Sequence, residues 1–518
     1  MSIDGVSGRT SYIGSGILDL RSQLDTLTEQ LASGKVSNTY AGQGSGRSLA
    51  IGIRAQVNSY NSYADTATNV NTRINVANLS LQRLVAINST VKGAAVSAGS
   101  TLDNTGQTAG QKTANLNFFD SVDMLNAHSG DRYLFSGRAT DTAPVTPADQ
   151  ILNGNGAAIA GLKQVIAERQ SADVGTSGLG RVIISPGLTP TSVQVGEDFA
   201  ANPAAIPPVP ASPFGLKLSA ISTTIAGATV IQPTPTPPAA VPPSPLAMSV
   251  DLGATNPQDG NSVKFTFKLP DGTSEDIVLT ASSATPTPAN SFAIGATSTA
   301  TAANLNTALT TAVTALANGP LAAASAVQAG NEFFGQPPMR VNGSAPFGAA
   351  TALVAGTAAN TVIWYNGETG TDPARGTAVA RVDQGITVQY GARANEQALQ
   401  TQLQNVAVFA AVTTKTTDIN ASGKIAALNQ RIAQNLAVIP GTQKIQDIQA
   451  DFAGAQASIK STTDRQNQSK AISQTLLDSI EGIDNNEVAT KILALQTALQ
   501  ASYQTTSQLY KMSLVKFI

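Results

Sequence analysis

The two ends of the chain carry an apolar pattern that the middle lacks. Near the N-terminus, apolar residues recur at alternating intervals of four and three, at Ile13, Ile17, Leu20, Leu24, Leu27 and Leu31. The same rhythm returns near the C-terminus at Val488, Ile492, Leu495, Leu499, Ser502, Thr506 and Leu509. Such a repeat predicts a helix with one narrow apolar stripe, which needs a partner helix to bury it. We therefore expect the two terminal helices to pair and to leave the middle of the chain as an outer loop or domain.

Helical patterns extend inward from the N-terminal end. The first helix is predicted over Gly14–Ser33, with Gly34 in the position after the helix where a positive φ is favoured. A turn rich in Gly and Ser follows at 41–46, and a long helix is predicted over Ser48–Ala98. Its stripe is Val70, Ile74, Ala77, Leu81, Leu84, Asn88, Val91 and Ala95. A further helical pattern covers Lys112–Ala127.

The pattern changes after Asp141, where Pro, Gly, Thr and Ala dominate. Twelve of the 26 prolines fall between Asn202 and Ala247, so we expect an extended linker there that contributes little to a packed core. A hairpin is predicted where Val263, Phe265 and Phe267 alternate with polar residues, Pro270–Gly272 turns, and Ile277–Leu279 returns. Further strands are predicted at Thr361–Tyr365, Ala378–Val382 and Gly385–Tyr390.

Helical patterning resumes at about Asn395 and runs to the end, with a break at Pro440-Gly441 and a cap at Asp484 before the last stripe. The predicted fold is mainly α at both termini, with long paired helices in a coiled-coil-like bundle. A central insertion that is β-rich and rich in Pro, Gly and Thr completes a multidomain chain. The terminal periodicity is also typical of an ordinary helical bundle, but its placement at both extremities favours the paired arrangement.

Composition narrows the function. Charged residues are 12% of the chain, aromatic residues are 5%, and the net charge is −2, which favours self-association and provides no basic surface for nucleic acid. Cysteine is absent, which excludes disulfides and thiol chemistry. The first residues lack the pattern of a cleaved signal peptide, and no stretch approaches the roughly 20 apolar residues of a membrane span. We expect a cytosolic protein or one exported without a cleaved signal.

Catalytic and ligand motifs are missing. His128 is the one histidine, which excludes histidine-based zinc sites and Ser–His–Asp triads. The Gly-rich stretch 42–46 lacks the Lys and Ser/Thr of a phosphate loop and is interpreted as a turn. Asp19, Asp25 and Glu29 lie off the apolar stripe and are interpreted as a solvated helix face. The sequence therefore predicts no enzyme, cofactor or metal site.

Two residues in the middle region leave a binding function open. Trp364 and Tyr365 are the best candidates for a glycan site, but an aromatic pair in a strand is more often part of a core. Asp271 is interpreted as a turn former. A secreted adhesin with coiled-coil ends is therefore a second, less favoured hypothesis beside a structural assembly subunit.

Specific segments resemble the bacterial flagellin superfamily. Leu31–Lys35 (LASGK) resembles the element that ends the first helix of that family, and Leu495–Tyr503 and Ser513–Ile518 resemble its C-terminal end. The resemblance covers about residues 1–140 and 376–518. It implies an assembly interface formed by Ile13, Ile17, Leu20, Leu24, Leu27, Leu31, Val488, Ile492, Leu495, Leu499, Leu509 and Leu514.

Two stretches resemble the hook–filament junction branch of that superfamily. Asp131–Gly137 followed by Thr140–Pro144 resembles its YLFSG…T.T.P stretch, and Ile386–Glu396 resembles its strand followed by ANE. Asn38–Gly42 departs from the DDAAG block that filament flagellins typically carry. The predicted function is therefore a structural flagellar subunit that joins hook to filament. The long Pro- and Thr-rich insertion keeps filament flagellin as the alternative.

The resemblance also implies a domain order and a location. Residues 1–44 and 485–518 would be inner-tube helices, 45–144 and 376–484 the next shell, and 145–375 a variable outer insertion. The protein would be extracellular in the flagellum, exported by the flagellar type III route. Its partners would be further copies, a hook-associated protein, flagellin and an export chaperone, without nucleic acid or membrane insertion.

Overall fold

The computed structural model describes residues 4–97, 99–156, 158–199, 211–233 and 245–515, with side chains from Tyr12 to Lys511 within these ranges. The chain divides into two compact units. The terminal unit comprises Met1–Asn71, Ala380–Val388 and Gly454–Ile518. The central unit comprises Thr72–Val379 and Gln389–Ala453.

Helices dominate both ends of the sequence, as predicted. The first five helices are α1 (Asp4–Ser33), α2 (Arg47–Ser97), α3 (Ala109–Leu125), α4 (Ala148–Asn153) and α5 (Leu162–Val174). The next six are α6 (Ser298–Leu316), α7 (Ala322–Phe333), α8 (Gln397–Ala411), α9 (Ala421–Asn435), α10 (Ile445–Glu481) and α11 (Asn485–Val515). The predicted mainly α termini around a β-containing middle are therefore confirmed.

Short strands fill the middle of the sequence. They are β1 (His128–Ser129), β2 (Arg132–Tyr133), β3 (Val182–Pro186), β4 (Ser192–Glu197), β5 (Lys217–Thr223), β6 (Thr229–Ile231) and β7 (Ala247–Asp251). They continue with β8 (Ser262–Lys268), β9 (Ser274–Ser282), β10 (Ser291–Ala293), β11 (Met339–Val341), β12 (Leu353–Ala355), β13 (Val379–Arg381) and β14 (Thr387–Gln389). One four-stranded sheet has the order β10-β9-β8-β5 and another has the order β3-β4-β7-β6.

The predicted hairpin is confirmed as β8 and β9, which pair antiparallel. Val263, Phe265 and Phe267 alternate along β8, so all three side chains lie on one face and are fully buried. Gly272 has a φ of +83° at the turn, a conformation that favours glycine. The two four-stranded sheets and α6 share one hydrophobic core with these residues.

The expectation of a linker over Asn202–Ala247 is wrong for the part that the structure describes. Residues 211–233 contain β5 and β6, and Leu216, Leu218 and Ile221 belong to the main core. The prolines cluster at either side of this stretch, which carries an apolar strand pattern between them. Of the predicted extended run Pro233–Pro238, Pro233 is described by the structure and the other residues lie outside the described ranges.

The predicted strand at Thr361–Tyr365 is also wrong, because only Thr361 and Tyr365 form isolated bridges. Tertiary packing dominates here: Trp364 and Tyr365 are buried, and the Trp364 indole N–H donates to the Phe334 carbonyl at 2.9 Å. The pair at Ala378–Val382 and Gly385–Tyr390 is confirmed as the two-stranded sheet of β13 and β14.

The predicted stripe of α2 is buried apart from Asn88, which is half-buried. The helix begins and ends within one residue of the predicted bounds. Within the central unit, α3 packs on α8, and a capping box of Thr108 and Gln111 starts α3 three residues before the predicted Lys112. The Gln402 amide N–H on α8 donates to the Leu84 carbonyl of α2 at 2.7 Å.

Candidate assembly interface

The terminal helices α1 and α11 pack on each other within the terminal unit. On α1, Ile13, Ile17, Leu20, Leu24 and Leu27 are all half-buried, whereas Leu31 is exposed. The residues between them are mostly exposed, including Asp19, Asp25 and Glu29. The predicted stripe is therefore the face of α1 that loses solvent contact.

On α11, the predicted stripe is buried more deeply at two points. Val488 and Leu499 are buried, and Ile492 and Leu495 are half-buried. Ser502 and Thr506 are half-buried and Leu509 is exposed, while the side chain of Leu514 lies outside the described residues. The small polar residues at the end of this stripe bury little apolar area, so the pairing is weaker there.

A short backbone ladder joins the end of α1 to the start of α11. The Val36 N–H donates to the Glu481 carbonyl at 2.8 Å, and the Ile483 N–H donates to the Gly34 carbonyl at 3.2 Å. Gly34 has a φ of +68° and ends α1, as predicted. Because α1 arrives at this ladder and α11 departs from it, the two helices run antiparallel.

The ladder sets the register of the two stripes. Leu495 lies twelve residues beyond Ile483, about 18 Å at 1.5 Å per residue. Leu24 and Leu20 lie ten and fourteen residues before Gly34, about 15 and 21 Å by the same rise. On this count, Leu20 and Leu24 lie opposite Leu495.

A buried carboxylate lies beside the ladder. Glu481 is 4% exposed and accepts from the Arg54 Nε at 2.9 Å, from the Arg54 Nη2 at 2.5 Å and from the Gln43 amide at 3.2 Å. The hydrogen bond from Arg54 holds the pKa of Glu481 below its usual value of 4.5. The connection at 34–46, the start of α2 and the end of α10 are thereby tied to one side chain. Sequence reasoning missed this cluster, which we call the Glu481 clasp (Glu481, Arg54 and Gln43).

Apolar side chains also lie on the outside of the helix pair. Tyr12 is 82% exposed, Leu18 is 68% exposed and Leu493 is 64% exposed. Tyr503 and Tyr510 are exposed on α11 as well. Single exposed apolar residues are ordinary, but five on two paired helices are typical of a surface that packs against another protein.

The two stretches that resemble the junction branch lie against each other in the central unit. The Ala394 N–H donates to the Phe135 carbonyl at 2.8 Å, and the Gly137 N–H donates to the Ala392 carbonyl at 3.0 Å. Phe135 is fully buried, and Gly137 has a φ of +66°. Glu396 forms an ion pair with Arg375 and accepts from the Arg393 backbone N–H at 3.0 Å. These motif residues therefore have structural partners within the fold.

Of the residues weighed as candidate chemical or binding groups, Asp271, Trp364 and Tyr365 have structural roles. His128 is exposed, and Asp271 forms a buried ion pair with Arg431 at 2.7 Å. Trp364 and Tyr365 are in the core. No cluster of metal-ligating side chains occurs in the ranges that the structure describes. None of the helices in those ranges is long and apolar enough to cross a membrane.

One region of the chain matches the model of a known protein family. Residues 440–518 match the bacterial flagellin C-terminal helical region, a segment that contains α10 and α11. A comparison with curated proteins found no match to this chain. The matched region includes the predicted C-terminal stripe and supports a similarity to the flagellin superfamily over this part of the chain.

Proposed function

We propose that the chain is a structural subunit of the bacterial flagellum that joins the hook to the filament through its paired terminal helices. The observation that carries the proposal is the α1–α11 pair, which covers most of the predicted stripes at least partly while exposing apolar side chains on its outer side. A helix pair that keeps such residues exposed in one chain suits packing into an axial tube. The C-terminal flagellin match supports the same reading.

The junction role rests on two stretches of sequence. Asp131–Gly137 and Ile386–Glu396 resemble the junction branch, and their backbones are hydrogen-bonded to each other. The two stretches are far apart in sequence but are joined by backbone hydrogen bonds, which supports one shared structural element. In this proposal, residues 1–44 and 485–518 lie innermost and 145–375 project outward. Further copies, a hook-associated protein and flagellin are the partners, and an export chaperone accompanies the chain to the flagellar type III route.

Filament flagellin is the second candidate. The observation in its favour is the size of the middle region, which has its own core of two sheets and a helix. A junction subunit requires no insertion of this size. The adhesin hypothesis loses its best candidates, because Trp364 and Tyr365 are buried.

Electron microscopy of the purified full-length chain, alone and with isolated hook fragments, tests the proposal. For a junction protein, we expect a few subunits or a short ring on the hook ends and no filaments from the protein alone. Long filaments formed by the protein alone would replace the junction role with that of flagellin. Failure to assemble in both conditions would contradict the assembly function.

The same experiment tests the helix pair with matched variants. Leu495→Asp with Leu499→Asp places two carboxylates on the stripe without partners, which costs several kcal/mol and abolishes a weak helix pairing. We expect this variant to lose assembly. The control Gln496→Asp adds a carboxylate at an exposed position between them and should assemble normally. Normal assembly of the double variant would contradict the pairing mechanism.

A further inference from the structure

A π-helical segment, Ala317–Leu321, joins α6 to α7 in the central unit, and we call it the α6–α7 joint. In an α-helix the N–H of residue 320 would donate to the Leu316 carbonyl, and in a π-helix it would donate to the Ala315 carbonyl. Pro320 has no N–H to give to either of them. The joint is therefore a weak point in the helical path that runs from Ser298 to Phe333.

A side chain from another part of the central unit donates to this joint. The side-chain amide of Asn420, the residue that precedes α9, donates to the Ala315 carbonyl at 2.7 Å. Asparagine before a helix usually accepts from a backbone N–H of that helix, but the Asn420 side chain makes no such bond. Asn420 also has a φ of +55°, a left-handed conformation that asparagine tolerates better than most residues. Its amide is thus used by the joint and not by α9.

Two glycines make room for the Asn420 amide. A Cβ on Gly319 of the joint would lie 2.3 Å from the Asn420 Nδ2, and a Cβ on Gly423 of α9 would lie 2.4 Å from its Oδ1. Both distances are far below the roughly 3.5–4.0 Å of an optimal non-bonded contact. Neither glycine has a positive φ, so it is the space for the amide that excludes a side chain at these positions. We call this space the Asn420 socket (Gly319, Gly423 and the Ala315 carbonyl).

The α6–α7 joint lies between two parts of the central unit. Helix α6 belongs to the core of the two four-stranded sheets, whereas α7 packs on α5, α8 and α9. Two further contacts join these parts: Arg431 of α9 forms a buried ion pair with Asp271 at the β8–β9 turn, and the Gly215 N–H donates to Asp173 of α5 at 2.8 Å. The joint is the place where a change of helix direction would move α6 and the sheets relative to the other helices.

We propose that Asn420 is a positioning residue that locks the α6–α7 joint. While its amide occupies the socket, α9 holds α6 and the sheets in one orientation relative to α5, α7 and α8. When the amide leaves the socket, the joint becomes a hinge at Pro320. The inference goes beyond the proposed function and does not rest on it, because every residue involved belongs to the central unit and none to the α1–α11 pair.

Amide hydrogen exchange of the full-length chain tests the lock. Asn420→Asp keeps the shape of the side chain, tolerates a left-handed conformation and suits the residue before a helix, but its carboxylate cannot donate to the Ala315 carbonyl. We expect exchange at Leu321 and Ala322 to quicken about tenfold or more, because the joint loses a hydrogen bond and gains a repelling oxygen. Native exchange in this variant would mean that Asn420 only starts α9 and would overturn the proposal.

A second pair of variants tests whether Asn420 and Pro320 act on the same joint. Pro320→Ala restores a backbone N–H there, so the effect of Asn420→Ala on exchange should fall from about tenfold to about threefold or less in that background. Equal effects in the two backgrounds would show that the amide acts independently of the joint, which contradicts the proposal. Emission from the buried Trp364 confirms that each compared variant is folded.

Substitutions of glycine test the socket without changing Asn420. Gly319→Ala places a methyl group where the amide lies, so it should quicken exchange at the joint as much as Asn420→Ala does. The matched control is Gly93→Ala on α2, where a Cβ would meet no neighbouring side chain of the described residues within 4 Å, and exchange at the joint should stay native. Native exchange in the Gly319 variant would contradict the socket.

Distances between spin labels test the hinge. The chain has no cysteine, so Thr307→Cys on α6 and Lys163→Cys on α5, both at exposed positions, provide the only two labelling sites. We expect a narrow distance distribution with the native Asn420 and an about twofold broader one with Asn420→Asp. Equal widths would mean that the joint stays fixed without its lock and would overturn the hinge. Assembly on hook fragments is a separate measurement, so failure of one proposal leaves the other testable.

Discussion

At the scale of single residues, Glu481 is held in its charged form by groups that are remote in sequence. Arg54 and Glu481 are separated by 427 positions. The lowered pKa of Glu481 means that its carboxylate binds a proton less readily in the folded chain than in the unfolded chain. This contribution to the free energy of unfolding is fully present above the usual pKa of 4.5 and is lost as the pH falls through the lowered pKa.

We predict that Glu481→Gln loosens the ladder between the terminal helices at neutral pH. Loss of a hydrogen-bonded charge costs about 1–3 kcal/mol, so amide hydrogen exchange at Val36 and Ile483 should quicken about tenfold or more at pH 7. The difference from the native chain should narrow as the pH falls below 4.5. Glu487→Gln is the control, because that carboxylate is exposed and pairs only with Lys491 in the adjacent turn. Equal exchange in the Glu481 variant and the native chain at pH 7 would mean that the clasp does not hold the ladder.

At the scale of elements, local periodicity was enough for the long helices and the β8–β9 hairpin. A stripe of seven-residue period and an alternation such as Val263, Phe265 and Phe267 are complete within a few turns or one strand. The Glu481 clasp could not be predicted, because its donors come from α2 and from the connection before it, which are remote in sequence from Glu481. Thr361–Tyr365 has strand-forming residues but is fixed by the burial of Trp364 and Tyr365, so tertiary packing decides its conformation.

The stretch around β5 shows why composition misled the prediction of a linker. Prolines at its flanks dominate the average, but Leu218 and Ile221 on β5 complete a sheet whose other strands are β8, β9 and β10. A strand needs only a few apolar residues at alternate positions. Its pattern is therefore lost when the composition is averaged over a longer stretch that includes the flanking prolines. Each stripe of the candidate interface lies on a single helix, so periodicity alone can locate it, and its role in assembly stays a prediction.

We predict that Ile221→Ala destabilises the central unit by about 2–5 kcal/mol, because Ile221 is buried in the main core. Ile231→Ala, in the neighbouring strand β6, should change stability by no more than about 0.5 kcal/mol, because Ile231 is 57% exposed. Urea unfolding of both variants compares the two directly. Similar stability of the two variants would mean that this stretch is the linker that its composition suggests.

At the scale of the whole molecule, the chain consists of a unit that contains both terminal helices and a unit with its own cores. The large core of the two sheets and the small cluster of Ala172, Phe214 and Val341 are built from residues of the central unit alone. The central unit therefore has cores of its own that do not depend on residues of the terminal unit. The predicted five-segment order from 1–44 to 485–518 remains a prediction about the assembled state.

We predict that a fragment of residues 72–453 folds without the rest of the chain. Its single tryptophan, Trp364, is 1% exposed and reports on this fragment alone. We expect blue-shifted emission, as in the full chain, and a cooperative thermal transition of that signal. Emission typical of solvated tryptophan would show that the central unit depends on residues outside it.

The antiparallel ladder has a consequence for the order of events in synthesis. The stripe of α1 is made before the central unit, whereas its partner α11 is made after it. The helix pair is therefore a contact of long sequence separation, which closes only after the residues between the two helices are present. A chain that stops before α11 leaves α1 with an unburied stripe, so the paired state of α1 reports that synthesis has passed α11.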